Sequence, residues 1–580
     1  MNYPGNEVVD LQVQTDSNAW RTNLFPLLVV LAVSTLVLLP IMISGIPYGG
    51  DLLSHFRFAV PFYDSIRAGD WYPGWLAVSN DGLGDPRFRF YPPGLYYLFT
   101  AVQFITSDWY RTAISSYIIL SVAGGIGAYL WGRQFVTPRT SMWVGIFYSI
   151  APYRVNELYQ AALLSEYAAC SILPFTFLFV ERVCRRRRAI DVCGLGIAYA
   201  LLVLTHLPTA VIGSLSLAVY ALLRIERGFI IATLTRLGVA VALGLAGSAF
   251  FWSTMIAELS WIKGNSVQQN IYYDYRYNFL FSPSALTNRN TWYANLMGFV
   301  VLGFVLPAVI LIFNKKAVQF RPVLILLLAS FFMATPLSTP IWAVVPKLSE
   351  IQFPWRWLAI TSLASALLVA ASIEYWKQRL KAVRPRDLAV LLCFVLSVGF
   401  IGKEMIYDCA YVPRARMDPL FNEITSAVSF KDWLPVWAKE LLQVERMHDK
   451  VQAESRVTTV SSWQPERRVF NIENGPAGPV KLRTYYYPHW TATMNGHSLA
   501  TSPSPDGLLV VNAPSEAGTI EVAFREPPRV AVVAKISAAT WMLMLGGCAL
   551  LTFYDRRLTR SESRTTNDLA QTNQKQDLSY

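Results

Sequence analysis

The hydrophobic residues of this chain fall into long apolar runs separated by shorter polar or charged stretches. A helix needs about 20 apolar residues to cross the hydrocarbon core of a bilayer, and runs near that length recur along the chain. They lie at 24–46, 111–132, 140–153, 165–183, 189–205, 207–223, 229–251, 294–313, 322–338, 355–373, 387–403 and 531–553. The pattern predicts a polytopic α-helical membrane protein with about 12 spans.

Two segments near the amino terminus need a separate argument. The run at 24–46 follows a polar tail at 1–23, exceeds the apolar core of a signal peptide and lacks a small-residue cleavage site. We therefore expect a retained first helix. The orientation given below requires that the short aromatic segment at 95–106 does not cross, so we expect it to lie as a helix at the outer interface. If it crosses, the four-arginine run at 185–188 moves outside. The transmembrane module then extends over 24–403.

Composition agrees with this pattern, since 53% of the residues are hydrophobic and 15% are charged. Soluble domains carry about 25% charged residues, so an ordinary soluble enzyme is excluded. A net charge of +12 is compatible with a nucleic-acid partner, but the lysines and arginines gather in short loops between spans. The positive-inside rule places such loops in the cytoplasm, with both termini, including the tail at 554–580. We expect no nucleic-acid partner.

This orientation makes five segments external, namely 47–110, 154–164, 252–293, 339–354 and 404–530. In the last one, short alternating runs after Val457 predict a small antiparallel β-sandwich. Asn495-Gly496 predicts a type I′ hairpin turn, and Asp506-Gly507 repeats the pattern. The candidate strands are 468–473, 480–487, 490–494, 497–501, 508–511 and 519–524.

Other features of the external domain carry less information. The stretch at 412–454 is more helical, and with Trp433 and Trp437 it fits either a helix on the membrane surface or a packed linker. Only Cys409 of the six cysteines is external, so we expect no disulfide framework. His489 and His497 flank the predicted hairpin without a third ligand, which favours surface polarity over a metal site.

The first external loop holds the densest group of candidate functional residues. Asp51 and His55 are four residues apart, so a helix that starts after Gly49-Gly50 would carry both on one face. The aromatic residues that follow suit the membrane interface and stacking on sugar rings. They are Trp71, Trp75, Tyr91 and Tyr96.

Charged residues at the ends of other predicted spans complete the candidate set. Glu157 and Glu166 bracket the second external loop, and a carboxylate at a span boundary is costly unless it faces a cavity or a partner. Arg356 stands between two tryptophans where an outer loop enters a span. Its guanidinium matches a phosphate in a bidentate manner, with snorkelling to the headgroups as the alternative. Lys347 is a second cation in that loop.

Three further groups have simpler interpretations. Asp81 and Asp85 lie among Gly and Pro residues, which predicts turns. His206 lies at a predicted helix break and fits a packing role. A cluster of aromatic and charged residues either lines an acceptor groove or caps the bundle. It comprises Tyr272, Tyr273, Asp274, Tyr275 and Arg276.

Several of these positions form motifs that resemble those of GT-C membrane glycosyltransferases. Asp51 follows the first span at once in a long external loop, and FYPPGLYY at 90–97 is similar to the His-Pro-Pro-Leu-Tyr-Tyr type. GRQF at 132–135 closes a span, and YRVNE at 153–157 lies at the next outer end.

The external β-domain carries a second resemblance. Its sequence YYPHW at 486–490, followed by Asn-Gly, resembles bacterial membrane proteins labelled with a 6-pyruvoyl-tetrahydropterin synthase related domain. The soluble synthase uses a zinc site of three histidines, and this sequence has no such cluster.

The GT-C resemblance implies an inverting hexosyl- or pentosyltransferase of the bacterial inner membrane. Such an enzyme moves a sugar from a polyprenyl-phosphate carrier to an envelope glycan, lipid or protein at the outer face. Asp51 occupies the position of the family's base, and Glu157 and Glu166 occur where relatives position substrate or metal. We expect His55 to orient Asp51 or to bind the carrier phosphate, and Arg356 to bind that phosphate. A divalent cation, Mg²⁺ or Mn²⁺, stays open.

One argument for a lipid-linked donor is independent of the resemblance. The polar candidates are external, where nucleotide sugars are not supplied, and the sequence has no Gly-rich phosphate loop at a strand-to-helix turn. Two other classes of function stay open. A transporter or flippase fits the number of spans, although no duplicated halves with matching broken helices appear. A non-catalytic envelope scaffold would bind a partner through the β-domain.

Overall fold

The computed structural model describes residues 19–263, 273–283, 289–312, 314–381, 384–424, 433–439, 447 and 449–577. The α-helices of these residues are α1 (Ala19–Leu36), α2 (Leu39–Ser44), α3 (Leu52–Arg67), α4 (Ser79–Gly82), α5 (Gly94–Thr106), α6 (Trp109–Gly132), α7 (Pro138–Ser149), α8 (Pro152–Tyr159), α9 (Leu164–Arg186), α10 (Ala189–Thr205), α11 (Leu207–Arg224), α12 (Ile230–Gly247), α13 (Ala249–Glu258), α14 (Arg289–Val305), α15 (Arg321–Met333), α16 (Thr339–Val344), α17 (Leu358–Arg379), α18 (Pro385–Phe400), α19 (Arg414–Glu423) and α20 (Pro528–Asp577). The strands are β1 (Ile46–Pro47), β2 (Tyr411–Val412), β3 (Val451–Ala453), β4 (Thr458–Gln464), β5 (Arg467–Ile472), β6 (Gly478–Tyr485), β7 (Trp490–Met494), β8 (His497–Leu499), β9 (Thr501–Pro503), β10 (Leu508–Ala513) and β11 (Gly518–Phe524).

Eight helical segments of the described chain are long and apolar enough to cross a membrane. They are Trp109–Gly132, Leu164–Arg186, Leu207–Arg224, Arg227–Gly247, Ala294–Leu311, Pro354–Arg379, Pro385–Tyr407 and Pro528–Phe553. The prediction of a multi-span α-helical membrane protein is confirmed.

The other four predicted spans differ from single long helices. The first divides into α1 and α2, with Pro40 in the first turn of the second helix. The span predicted at 140–153 is interrupted where α7 ends at Ser149, three residues before Pro152 begins α8. The span predicted at 189–205 is a helix of 17 residues. The one at 322–338 bends by 90° near Pro336. Three of these four segments contain or adjoin a proline that lacks the amide donor a continuous helix needs.

The centre of the helix bundle is α17. Its residues from Leu358 to Ser372 are all buried, whereas α12, α18 and α20 expose most of their apolar surface. A helix that is apolar all round and buried belongs to the core, and exposed apolar helices face lipid in a membrane protein. The functional residues described below lie around the end of α17 that begins at Leu358.

The carboxyl-terminal domain is a β-sandwich, as predicted. One sheet has the order β3-β6-β10-β9 and the other the order β4-β5-β11-β7-β8. All six predicted strands are present, with the one at 497–501 divided into β8 and β9, and β3 and β4 are additional. Alternate residues of β5, β7 and β11 point inward, which is the period of a sheet with one buried face.

The two predicted turns of this domain differ from each other. Asn495 and Gly496 both have positive φ, at 50° and 83°, as a type I′ turn requires. In the second turn only Gly507 has positive φ, at 85°, so the prediction of a repeated type I′ turn is wrong. The loop from β9 to β10 is longer, and Ser504 closes it by accepting a hydrogen bond from the amide of Leu508.

The described part of the predicted linker packs between the first external loop and the sandwich. Trp433 stacks on Phe90 with ring centroids 6.5 Å apart and meets Tyr91 edge-on, and Trp437 contacts Tyr486. For residues 433–439 the packed-linker interpretation is therefore the correct one. Residues 425–432, 440–446 and 448 lie outside the described residues.

A buried ion network attaches the sandwich to the bundle. Arg89 of the first external loop donates two hydrogen bonds to Glu258 at the end of α13, at 2.5 and 2.7 Å. It donates two more to Glu526 after β11, at 2.5 and 3.0 Å. His489 and Tyr487 also contact Glu258, at 3.0 and 2.7 Å. Burial alone would raise the pKa of Glu258, but these hydrogen bonds outweigh it and hold the pKa well below its usual range.

Candidate active site

The chain reaches Asp51 through a short sheet that fixes the start of the first external loop. β1 pairs with β2, which follows the last helix before the external domain. Gly45, just before β1, has φ of +123°, and a Cβ there would lie 2.3 Å from the carbonyl oxygen of Val412. A Cβ on Gly49 would lie 2.6 Å from the carbonyl oxygen of Gln160. Both glycines therefore permit a close approach between backbones that no other residue allows.

Asp51 lies immediately before α3 and is exposed to solvent. Its amide donates a hydrogen bond to Ala161 at 3.2 Å, which joins the first external loop to the second. Its carboxylate accepts no hydrogen bond from the residues that the structure describes. Although the residue reaches solvent, the surrounding protein displaces part of the water around the carboxylate, which raises the pKa of Asp51, and the positive charge of Arg356 opposes that rise. The site thus holds an unpartnered carboxylate in the field of a cation.

Arg356 is held on two edges and open on a third. Its Nε donates to Glu166 at 3.1 Å and its Nη1 donates to the carbonyl of Ile351 at 2.8 Å. The guanidinium also lies 5.0 Å from the ring centroid of Phe353. Within the described part of the chain, Nη2 makes no hydrogen bond. A guanidinium that is positioned in this way and keeps a free donor edge is suited to bind an anion.

The two predicted glutamates are buried in the bundle behind Arg356. Glu166 accepts hydrogen bonds from Tyr153 at 2.8 Å and from Arg356. Glu157 accepts one from the Cys170 thiol at 3.2 Å, and its second oxygen has no partner among the described residues. Glu166 therefore contacts the site only through Arg356, and Glu157 lies deeper still.

His55 occupies a different place from the one its spacing suggests. It is 5% exposed, its Nε2 accepts from the amide of Leu164 at 3.2 Å, and its Nδ1 lies 3.1 Å from the Tyr96 hydroxyl. Both ring nitrogens are thus engaged, and burial lowers the pKa of His55 to about 3. A neutral, fully bonded imidazole joins α3 to α9 and does not offer a donor to a phosphate, so the prediction of direct phosphate contact is wrong.

The four predicted aromatic residues separate into two pairs. Trp71 is 74% exposed, and Tyr91 is half-buried with its hydroxyl 3.3 Å from Ser165. Trp75 is 1% exposed and packs against Trp490 and other rings of the sandwich. Tyr96 is fully buried among the phenylalanines of α3 and the first loop. Trp75 and Tyr96 are therefore core residues and cannot stack on a sugar.

The remaining candidates lie at the periphery. Lys347 is exposed and pairs with Glu350 at 2.6 Å. Asp81 has φ of 56° and Asp85 forms a buried pair with Arg87, so both shape the loop as predicted. His206 caps α11 through Thr209, which confirms its packing role.

The aromatic and charged cluster is described except for Tyr272, which lies outside the described residues. Asp274 pairs with Arg276, and Tyr275 stacks on Trp342 at 5.3 Å. These contacts hold the cluster against the bundle, as expected of a cap. Among the described residues, no group of three His, Cys, Asp or Glu side chains is arranged to hold a metal ion.

A family model described as "6-pyruvoyl-tetrahydropterin synthase related domain; membrane protein" matches residues 88–412, more than half of the chain. The chain belongs to this family. The family region contains Tyr91, Glu157, Glu166 and Arg356 and ends at β2. Asp51 and the sandwich lie outside it. No curated protein sequence matches the chain.

Several solved structures are similar to this family member over part of their length. Arabinofuranosyltransferase AftD from Mycobacteria is 16% identical, with 69% of this chain and 27% of that chain covered, at a TM-score of 0.41. ArnT from Cupriavidus metallidurans bound to undecaprenyl phosphate is 14% identical, with 71% and 70% covered, at 0.43. The oligosaccharyltransferase AglB from Archaeoglobus fulgidus is 13% identical, with 69% and 57% covered, at 0.39.

Sequence reasoning missed the residues that join the sandwich of this family member to the bundle and the one that orients Glu166. Arg89, Glu258 and Glu526 form the buried network, and Tyr153 orients Glu166. One signal was available, because Glu258 ends an apolar helix, where an unpaired carboxylate is costly. Its partners Arg89, Tyr487 and His489 are 169, 229 and 231 positions away along the chain, and only the folded structure shows them.

Proposed function

We propose that this protein is an inverting membrane glycosyltransferase that uses a polyprenyl-phosphate sugar as donor and an envelope glycan, lipid or protein as acceptor. The observation that supports it is that one site contains both a carboxylate and a guanidinium with free polar atoms. Within the described residues the Asp51 carboxylate accepts no hydrogen bond, and Nη2 of Arg356 donates none. Transfer at an anomeric carbon needs a base for the acceptor and a cation for the departing phosphate. The site offers one of each.

In the proposed reaction, the Asp51 carboxylate takes the proton of an acceptor hydroxyl. The oxygen attacks the anomeric carbon from the face opposite the carrier, and the bond from that carbon to the phosphate oxygen breaks. The electron pair leaves on the phosphate, where Arg356 stabilises it through Nη2. The raised pKa of Asp51 suits a base, since a carboxylate with a higher pKa holds the proton more strongly.

The other residues support this geometry in the proposal. Glu166 positions Arg356, and His55 holds α3 against α9. Tyr91 and Trp71 offer partly and fully exposed rings on which a sugar can stack. We place the donor at the external face of the inner membrane, on the side of the bundle that carries the sandwich, with Lys347 at its rim.

The central test replaces Asp51 by Asn in membranes supplied with radiolabelled polyprenyl-phosphate sugars. We expect loss of label transfer by at least about 100-fold at unchanged expression, because the base is removed. Asp64→Asn is the matched control, since Asp64 lies on α3, which follows Asp51, and forms its ion pair with Arg67. A fully active Asp51→Asn protein contradicts the proposal.

Two further arms refine the same assay. Arg356→Ala should weaken donor use in a way that higher donor concentration partly restores, whereas an unchanged donor dependence contradicts phosphate binding by Arg356. A chelator added to the reaction tests whether a divalent cation takes part in it. Movement of an envelope precursor across vesicles without any glycan product would identify a transporter instead.

A further inference from the structure

A cavity lies beside the amino-terminal end of α3, and neither Asp51 nor Arg356 is among its lining residues. Its volume is about 340 Å³ and it is lined by Tyr48, Gly49, Gly50, Leu53, Ser54 and Arg57. Asp51 and His55 are four residues apart and share one helix face. Leu53 and Arg57 are also four apart, but they stand two residues further along, which turns them to the opposite face. The cavity therefore shares the first turn of α3 with Asp51 without being part of the same pocket.

Arg57 gives this cavity its charge. It is half-buried, and it makes no ion pair or hydrogen bond with any residue of the described ranges. The nearest cation along the same helix, Arg67, pairs with Asp64. A guanidinium without a carboxylate partner in a concave site is available to an anion, and its donor geometry fits a phosphoryl group.

The rest of the lining fits such an anion. The Ser54 hydroxyl makes no side-chain hydrogen bond within the described part of the chain and can donate to a phosphoryl oxygen. Gly50 leaves room for close approach at the amino-terminal end of α3, where the helix dipole favours negative charge. Tyr48 and Leu53 add apolar surface, with Tyr48 48% exposed.

We propose that this cavity binds a phosphoryl group of the acceptor, so that the acceptor is an anionic, phosphate-bearing molecule. The inference rests on the proposed function, because it assigns the donor phosphate to Arg356 and the acceptor phosphate to Arg57. Asp51 immediately precedes α3, the helix that carries Arg57. Arg57 lies six residues on, which is about 9 Å along the helix axis. The cavity extends from Arg57 to Gly50, the residue before Asp51, so an acceptor held by its phosphoryl group at Arg57 can extend past the start of α3 and present a hydroxyl to Asp51.

The test measures phosphate binding directly, without requiring turnover. The full chain in a non-ionic detergent is titrated with farnesyl phosphate by calorimetry, and in a separate arm with inorganic phosphate. We expect two farnesyl phosphate sites in the unaltered protein and one in Arg57→Gln, with affinity at the lost site reduced at least about tenfold. Arg67→Gln is the matched control on the same helix and should keep both sites.

Each outcome of this experiment decides something. Binding of farnesyl phosphate but not inorganic phosphate identifies a lipid source for the phosphoryl group, and equal binding of both identifies a soluble source. Two undiminished sites in Arg57→Gln overturn the inference. Arg57→Lys is the control for misfolding, because it alters the same position but keeps the positive charge. It should retain weak binding at the second site, whereas a folding defect would abolish binding in Arg57→Lys and Arg57→Gln alike. Asp51→Asn should bind farnesyl phosphate at both sites even if it transfers no sugar. Failure of the proposed transfer reaction and failure of the proposed phosphate site are therefore seen in different measurements.

Discussion

At the scale of single residues, the site depends on which polar atoms are left free. Asp51 has a carboxylate without a hydrogen bond from the described residues, and Arg356 keeps Nη2 open because Glu166 and Ile351 hold its other edges. His55 looked equally suitable in the sequence, yet both of its nitrogens are engaged. Residue type and spacing identified the three positions, but the accounting of hydrogen bonds separates reactive groups from positioning ones.

The charge of Arg356 has a measurable consequence for Asp51, the proposed base. Burial raises the pKa of Asp51 and Arg356 opposes that rise, so removal of the charge leaves the pKa higher still. We expect the acid limb of the pH profile of kcat/KM to move to higher pH in Arg356→Gln, measured on the residual transfer activity. Lys347→Gln, which removes an exposed cation paired with Glu350, should leave the limb in place. A limb that stays unmoved in Arg356→Gln would show that Asp51 is not the titrating group.

At the scale of elements, the short pairing of β1 with β2 joins the start of the first external loop to the segment before α19. The hydrophobic pattern predicted the spans on either side but gave no sign of this sheet, since two strands of two residues carry no periodicity. The sandwich was predictable because its alternation extends over strands of five to eight residues.

This pairing can be tested at Gly45. Its φ of +123° disfavours any residue with a Cβ, and the added atom would lie 2.3 Å from the Val412 carbonyl oxygen. We expect Gly45→Ala to destabilise the protein by about 2 kcal/mol or more and to lower transfer activity, because the loop that carries Asp51 must shift. Gly69→Ala is the control, with φ of +98° and open space around it, and should show only the smaller backbone effect. Equal melting temperatures for the two variants would argue against close packing of Gly45 on the backbone of Val412.

At the scale of the whole molecule, the sandwich, the first external loop and the bundle are joined by buried polar contacts. Arg89, Glu258 and Glu526 form the centre of this junction. Two more carboxyls stand at its edge. Burial raises the pKa of Asp70 to about 6 and that of Glu466 to about 7, and the charge of Glu526 adds to both shifts. The junction therefore holds carboxyls whose pKa values are shifted in opposite directions. The pKa of Glu258 is lowered, which keeps it ionised, and those of Asp70 and Glu466 are raised, which favours protonation.

These raised pKa values predict how stability depends on pH. A carboxyl whose pKa is higher in the folded state binds protons more strongly there, so its contribution is complete below the ordinary pKa of about 4.5 and is lost as pH rises through about 7. We expect Glu466→Gln to raise the free energy of unfolding above that of the unaltered protein at pH 8 but not at pH 5. The expected difference is on the order of 1 kcal/mol after allowance for solvent screening. Thermal unfolding of both proteins at the two pH values measures it. The lowered pKa of His55 gives stability the opposite pH dependence, but this effect is the same in the variant and in the unaltered protein. A stability difference between the two proteins that does not depend on pH would refute the assignment to Glu466.

The sequence by itself determined the class of this protein. Runs of about 20 apolar residues leave no alternative to membrane-spanning helices, and alternation with turn residues specifies a sandwich, because both signals are local. It also identified Asp51 and Arg356 as chemically apt. Only the tertiary structure decided which candidates meet. Trp75 belongs to the core of the sandwich and Tyr96 to the core of the loop, while Arg356 reaches Glu166 from 190 positions away. Such contacts depend on how helices and loops pack, and no local pattern of residues encodes that packing.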